Sequence, residues 1–166
     1  DWAVNQTSHS VVIRVPKDEP VFTGKQDETD YSKLNKYKVN TRGAKIAIIG
    51  VGNFYGLATE LSDEIYNKWG IVSTLINPIF LSGYDIDTLE WIKENHDIVV
   101  TLEDGCIDGG FGEKISRYYG NSNVKVLNYG AKKVFTDRVP IEELYKQFGM
   151  TKEQILTDIR NSLGSK

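Results

Sequence analysis

The chain has 166 residues, 40% hydrophobic and 26% charged, with a net charge of -3, a composition suited to one soluble domain and a fragment of a second. Its 20 Lys and Arg are scattered rather than striped along one face, which argues against a nucleic-acid partner or an anionic membrane. Cys106 is the single cysteine, so no internal disulfide can form. No apolar run approaches the ~20 residues of a membrane helix and no signal peptide is visible, so a cytoplasmic protein is expected.

In chain order, residues 10–16 (SVVIRVP) read as a buried strand, rich in β-branched residues and stopped by Pro16. Residues 17–36 are polar, carry both charge signs and lack an apolar period, which describes a linker. A lone strand ahead of a linker has no sheet of its own, so its partner strands are expected in a longer chain. Residues 37–40 read as a short strand, followed by a turn at Thr41-Arg42-Gly43. Residues 45–49 (KIAII) form a strand covered on both faces. A helix follows over 53–69, with Phe54, Leu57, Ala58, Leu61, Ile65 and Trp69 three and four apart and Gly70 as its stop. Residues 72–76 are strand, and Asp87 with Glu90 forms a capping box for the next helix. Residues 97–102 (DIVVTL) are a buried strand, 111–119 a helix, 125–128 a strand and 140–148 a helix. Thr151 and Gln154 cap a last helix that runs to Leu163.

Strands alternating with helices imply right-handed crossovers and a mostly parallel sheet with helices on both faces, a three-layer α/β/α fold. The tight turn after 37–40 makes that strand a candidate antiparallel edge. Ligand crevices in such sheets lie at the carboxyl ends of strands where the winding reverses, and two loops qualify, 50–53 and 103–112.

The first, G-V-G-N-F-Y-G, holds Gly50 and Gly52 between a strand and a helix, the setting of a dinucleotide fingerprint. Its third glycine comes one residue late, and the next strand ends in Asn77 rather than an acidic ribose ligand, so a plain strand-to-helix turn is the better reading. The second loop carries Glu103, Asp104 and Asp108, then Gly109, Gly110, Phe111 and Gly112. Hard cations take several carboxylate oxygens. Alternatively, the glycines permit close packing beneath the next helix while Glu103 accepts from backbone amides. The lack of a nearby histidine and of regular ligand spacing favours the second reading, and Cys106 has no base placed beside it. His96 ends a helix, where its charge would suit the dipole. Lys132, Lys133 and Arg138 form a small basic cluster past the last strand. Arg14 and Lys17 are a second candidate anion site, able to act only together with further sheet.

The runs H-S-V-V-I-R-V-P-K (9–17), A-K-I-A-I-I-G-V-G (44–52), I-N-P-I-F (76–80), H-D-I-V-V-T-L-E-D (96–104) and G-G-F-G (109–112) occur in order. Together they resemble the end of the pyrimidine-binding domain and the C-terminal domain of transketolase-like thiamine-diphosphate enzymes. Within that superfamily the resemblance is strongest to the 1-deoxy-D-xylulose-5-phosphate synthases, down to the tail E-E-L-Y-K-Q-F-G-M-T (142–151). It implies a five-stranded sheet with one antiparallel edge strand. It also implies a trailing strand of the preceding domain over 1–20, a linker over 21–36 and a transketolase-type C-terminal domain over 37–166. The whole enzyme would be a cytoplasmic transferase that joins pyruvate to glyceraldehyde 3-phosphate with loss of carbon dioxide, using thiamine diphosphate and magnesium, on the route to isoprenoids and thiamine. The part present would carry no catalytic residue and bind no cofactor. It would pack against the N-terminal and pyrimidine-binding domains of its own chain and support a homodimer. Gly50, Gly52 and 103–112 then become crevice or interface elements, and Lys17, with Arg14, a substrate-phosphate candidate. The pattern departs at Ile79, where synthases carry Arg, at Ser82-Gly83, Lys132-Lys133 and Arg138-Val139, and at Val15-Pro16-Lys17-Asp18, where Tyr-Pro-Arg-Gly is usual. Lys17 keeps the charge without the planar fork. These departures leave open a paralogue with another acceptor.

Overall fold

The apolar run of KIAII buries both faces of one strand at once, and the whole molecule is organised around it. In the computed structural model, which describes residues 2–15 and 31–164, the elements in chain order are α1 (Trp2–Asn5), β1 (Lys38–Thr41), β2 (Lys45–Gly50), α2 (Phe54–Trp69), β3 (Thr74–Asn77), α3 (Ile86–Asn95), β4 (His96–Cys106), α4 (Phe111–Tyr119), β5 (Lys125–Ala131), α5 (Ile141–Gln147) and α6 (Lys152–Leu163). The sheet order is β1-β3-β2-β4-β5, with β2, β3, β4 and β5 parallel and β1 antiparallel to β3. Ile46 and Ile48 face a core filled by Phe54, Ala58, Leu61 and Ile65 of α2 and Ile155 and Ile159 of α6. Ala47 and Ile49 face the other core, with Leu89 and Ile92 of α3 and Phe111, Ile115 and Tyr119 of α4. The result is a three-layer α/β/α fold with a five-stranded mixed sheet. Among the described residues no helix is long and apolar enough to cross a membrane.

The edge strand is antiparallel, as the tight turn after it suggested, but it does not form a hairpin with β2. Lys38, Val39 and Thr41 pair with Asn77, Ile76 and Leu75 of β3, and β3 lies between β1 and β2. The turn that allows this is crowded. Gly43 N–H donates to Thr74 Oγ1 at 2.9 Å, and a Cβ on Gly43 would fall 1.9 Å from the Val72 carbonyl oxygen.

Three expectations change. The described part of the expected strand 10–16 joins no ladder and is exposed, Val12 at 91% and Val15 at 79%. β-Branched residues favour a pleat only where a neighbouring strand and an apolar surface receive them. The helix expected to open at Asp87 is capped by Asp85 instead, whose side chain accepts from Thr88 N–H and Oγ1–H. Glu90 then pairs with Lys93 and accepts from Tyr118. His96 is not a charged end-group. It is 6% exposed, its Nε2 lies 2.7 Å from Thr74 Oγ1 and its Nδ1 3.2 Å from Ile92 O. Ile92 O can only accept, so Nδ1 carries the proton and donates to it, which leaves Nε2 to accept from Thr74 Oγ1–H while that oxygen accepts from Gly43 N–H. Burial pushes the imidazole below its ordinary range and favours this neutral tautomer.

Because the folded-state value is the lower one, the unfolded chain binds the proton more readily. Stability from His96 is therefore complete above the unfolded value of ~6.5 and declines as pH falls below it. Thermal melts should show a lower Tm at pH 5 than at pH 7.5, with the slope reduced in His96→Gln. A Tm that rises on acidification across this window would contradict the neutral tautomer.

Candidate functional site

The winding reverses at β2: the chain leaves it for β3 on one side and returns through α3 to β4 on the other. The carboxyl ends of β2 and β4, with Gly50–Asn53 and Glu103–Gly112 after them, therefore flank the place where α/β sheets bind ligands. The two loops are joined by Val51 N–H, which donates to Leu102 O at 2.9 Å.

Gly50 brings α2 against β2; a Cβ there would lie 2.7 Å from Tyr55 Cα and 2.8 Å from Ala58 Cβ. Gly52 has φ 56° and makes the turn. The first amides of α2 are already used. Phe54 donates to Val51 O, Tyr55 to Gly52 O and Gly56 to Asn53 O. A pyrophosphate at a helix N-terminus needs such amides free, so this turn is built for packing.

β4 runs four residues beyond the expected end, and Cys106 still registers with Ala131 of β5. On this extension Glu103 points inward and is 3% exposed. Its Oε2 accepts from Phe111 N–H at 2.9 Å and its Oε1 from Gly112 N–H at 2.8 Å. A carboxylate from a neighbouring strand thus takes the orphan donors at the start of α4, where a negative charge also meets the positive end of the helix dipole. The glycines are the mould for it. A Cβ on Gly110 would lie 2.7 Å from both carboxylate oxygens and 2.4 Å from Cys106 O, and one on Gly112 would lie 2.5 Å from Thr101 Oγ1. Thr101 Oγ1 donates to Asn128 Oδ1, and Asn128 Nδ2 to Ser116 Oγ, extending the polar lining between β4, β5 and α4. Glu113 returns along the loop to accept from Gly109 N–H at 2.5 Å.

Asp104, next in the strand, points outward and binds Arg14 Nη2 at 2.9 Å. Arg14 is thereby placed at the crevice, which the sequence alone did not indicate, and its charge is matched by a carboxylate. Lys17 lies outside the described residues. Lys132, Lys133 and Arg138 sit on an exposed loop after β5, around Val134 and a fully exposed Phe135. Cys106 is free and partly buried.

A second buried carboxylate, missed in the sequence, lies where the domain begins. Asp85, 3% exposed, accepts from Tyr37 N–H at 2.9 Å and Lys36 Nζ at 3.0 Å besides capping α3. Burial alone would push its carboxyl up, but the Tyr37 amide, the Lys36 ammonium and Thr88 outweigh it and hold it below the usual range. Its sequence signal is the Asp85-Ile-Asp-Thr88 spacing, overshadowed by Asp87 and Glu90 two residues on. Lys114, whose ammonium burial pushes down, donates to Leu81 O and Gly83 O at 3.0 Å and holds the loop after β3.

The donor set at the crevice does not fit thiamine diphosphate or Mg²⁺. Both oxygens of Glu103 are committed to helix amides, Asp104 is paired, and among the described residues no group of three or more His, Cys, Asp or Glu could hold a metal.

Residues 35–155 match the family of the transketolase C-terminal domain. The chain is 32% identical over 161 residues to a 1-deoxy-D-xylulose-5-phosphate synthase of Clostridium tetani, covering 96% of this chain and 25% of that protein. It is 28% identical over 157 residues to the synthase of Pseudoalteromonas translucida, covering 93% and 24%. It thus spans about a quarter of the length of the curated relatives it matches. Among solved structures, a split-gene transketolase described as an inactive β4 tetramer superposes with a TM-score of 0.70 at 20% identity, over 88% of this chain and 46% of that one.

Proposed function

The chain belongs to the transketolase C-terminal domain family, and on that premise we propose that it is the C-terminal structural and assembly domain of a thiamine-diphosphate-dependent transferase of the 1-deoxy-D-xylulose-5-phosphate synthase type. The observation that carries this reading is the commitment of Glu103. The buried carboxylate at the crevice fastens α4 to β4, so the place where related folds do chemistry serves here to join elements. Residues 37–166 form the domain, 21–36 the linker, and 1–20 the trailing strand of a preceding pyrimidine-binding domain. The activity of the whole cytoplasmic enzyme, pyruvate with glyceraldehyde 3-phosphate to 1-deoxy-D-xylulose 5-phosphate and carbon dioxide, then rests on thiamine diphosphate and magnesium held elsewhere. Its product would supply isoprenoid and thiamine synthesis. This domain packs on the other two and supports a homodimer.

A divergent paralogue with another acceptor is the second reading, favoured by Ile79. An apolar side chain stands where the synthase pattern has Arg, on a backbone with φ 51° that β-branched residues rarely adopt. Titration of the 166-residue protein with thiamine diphosphate and Mg²⁺ in a calorimeter is expected to give no binding heat. A micromolar isotherm would overturn the assignment of a purely structural role. Sedimentation of the same protein tests the assembly role, which a stable dimer supports and a strict monomer counts against.

A further inference from the structure

Residues 2–15 are fastened to the carboxyl edge of the sheet at two places. Trp2 meets Phe80, just beyond β3, with ring centroids 6.5 Å apart, and Tyr31 completes the cluster at 6.0 and 6.3 Å. Further along, Arg14 donates to Asp104 on the extension of β4. In the sheet β2 lies between β3 and β4, so a segment held beyond β3 and on β4 crosses the exit of β2, where the winding reverses. Two inter-strand steps span about 10 Å, whereas the segment from Trp2 to Arg14 could extend ~40 Å. The stretch between the two anchors is therefore slack, and each end is held by its own contact.

We infer that residues 2–15 are a strap docked across the crevice, with Asp104 and Phe80 as its receiving residues and Arg14 as a positioning residue, so that the occupant of this crevice is the chain itself rather than a diffusible anion. Docking in this way leaves Val12, Ile13 and Val15 exposed on a stretch with no strand partner among the described residues. An edge strand of the preceding domain's sheet fits there, a partner assignment that rests on the domain reading above. The two anchors differ in kind. The Arg14 and Asp104 side chains are 57% and 48% exposed, so salt screens that anchor, whereas the aromatic cluster is insensitive to it.

The single cysteine supplies the test. A nitroxide on Cys106, two residues past Asp104, should broaden the amide signals of residues 11–15 at low ionic strength. Asp104→Asn, which keeps shape and loses charge, should restore most of that intensity, as should about 1 M salt, where the Debye length is ~3 Å. A label at Asp108→Cys in a Cys106→Ser background should give the same pattern, which guards against disturbance by the probe. Signals of 11–15 unaffected by either label, or broadened equally in Asp104→Asn, would overturn the strap. Neither result bears on thiamine diphosphate binding, so the strap and the functional reading fail separately.

Discussion

Glu103→Ala is expected to destabilise the domain by about 3 kcal/mol, enough to lower its Tm by roughly 6–12 °C. The truncation strips two amides, Phe111 and Gly112, of their acceptor inside a packed site, and each buried unsatisfied donor costs roughly 1–3 kcal/mol. Glu103→Gln is the sharper test. It fills the same space, yet one branch becomes an NH2 group, which would point a donor at a donor. Its loss should approach that of alanine rather than lie near zero. Wild-type melting of Glu103→Gln would mean that the ionised carboxylate is not what closes β4 onto α4. Far-UV spectra should retain helix in both variants, since α4 is one of six helices among the described residues.

Asp85→Ala should cost about 2–4 kcal/mol, from a lost helix cap of roughly 1 kcal/mol and an orphaned Tyr37 amide. Asp85→Asn keeps an oxygen for the cap and should fall between the two. The pH dependence separates charge from shape. The folded carboxyl lies below its usual range, so its contribution is present above the unfolded value of ~3.9 and is lost as pH falls through the lower folded value. The gap in Tm between wild type and Asp85→Asn should therefore be widest near neutrality and close as the pH drops towards 3. A gap that stays constant down to that pH would assign the effect to geometry alone.

Apolar runs made β2 and the core of β4 legible, because a strand covered on both faces needs no polar alternation. The caps at Gly70 and Thr151 were legible because each is a local rule. Long-range decisions were not. The extension of β4 through Glu103, Asp104 and Gly105 has a polar, glycine-bearing sequence, and distant partners hold it: β5 at Cys106 and the α4 amides at Glu103. Asp85 lost to Asp87 because both satisfy a capping spacing; the deciding partner, Tyr37 N–H, lies 48 residues away. Likewise SVVIRVP shows its own preference and not whether a sheet edge is present to meet it. At the crevice, the spacing of carboxylates and glycines suggested both a cation and a set of backbone amides as partners for Glu103. The close approaches of Gly110 and Gly112 single out the amides.

The seat of β1 against β3 also bears on how the chain leaves the ribosome. β1 emerges first but pairs only when Asn77 arrives, 36 positions after Thr41. At ~5–20 residues per second this leaves the edge strand unpaired for about two to seven seconds. Its sequence, Lys-Val-Asn-Thr, is mostly polar and a poor template for stray association during that wait, whereas the apolar β2 follows at once and has α2 to cover it. Substituting the exposed Lys38 by valine would do little to the finished sheet and would put the cost into yield during synthesis, as insoluble nascent chains.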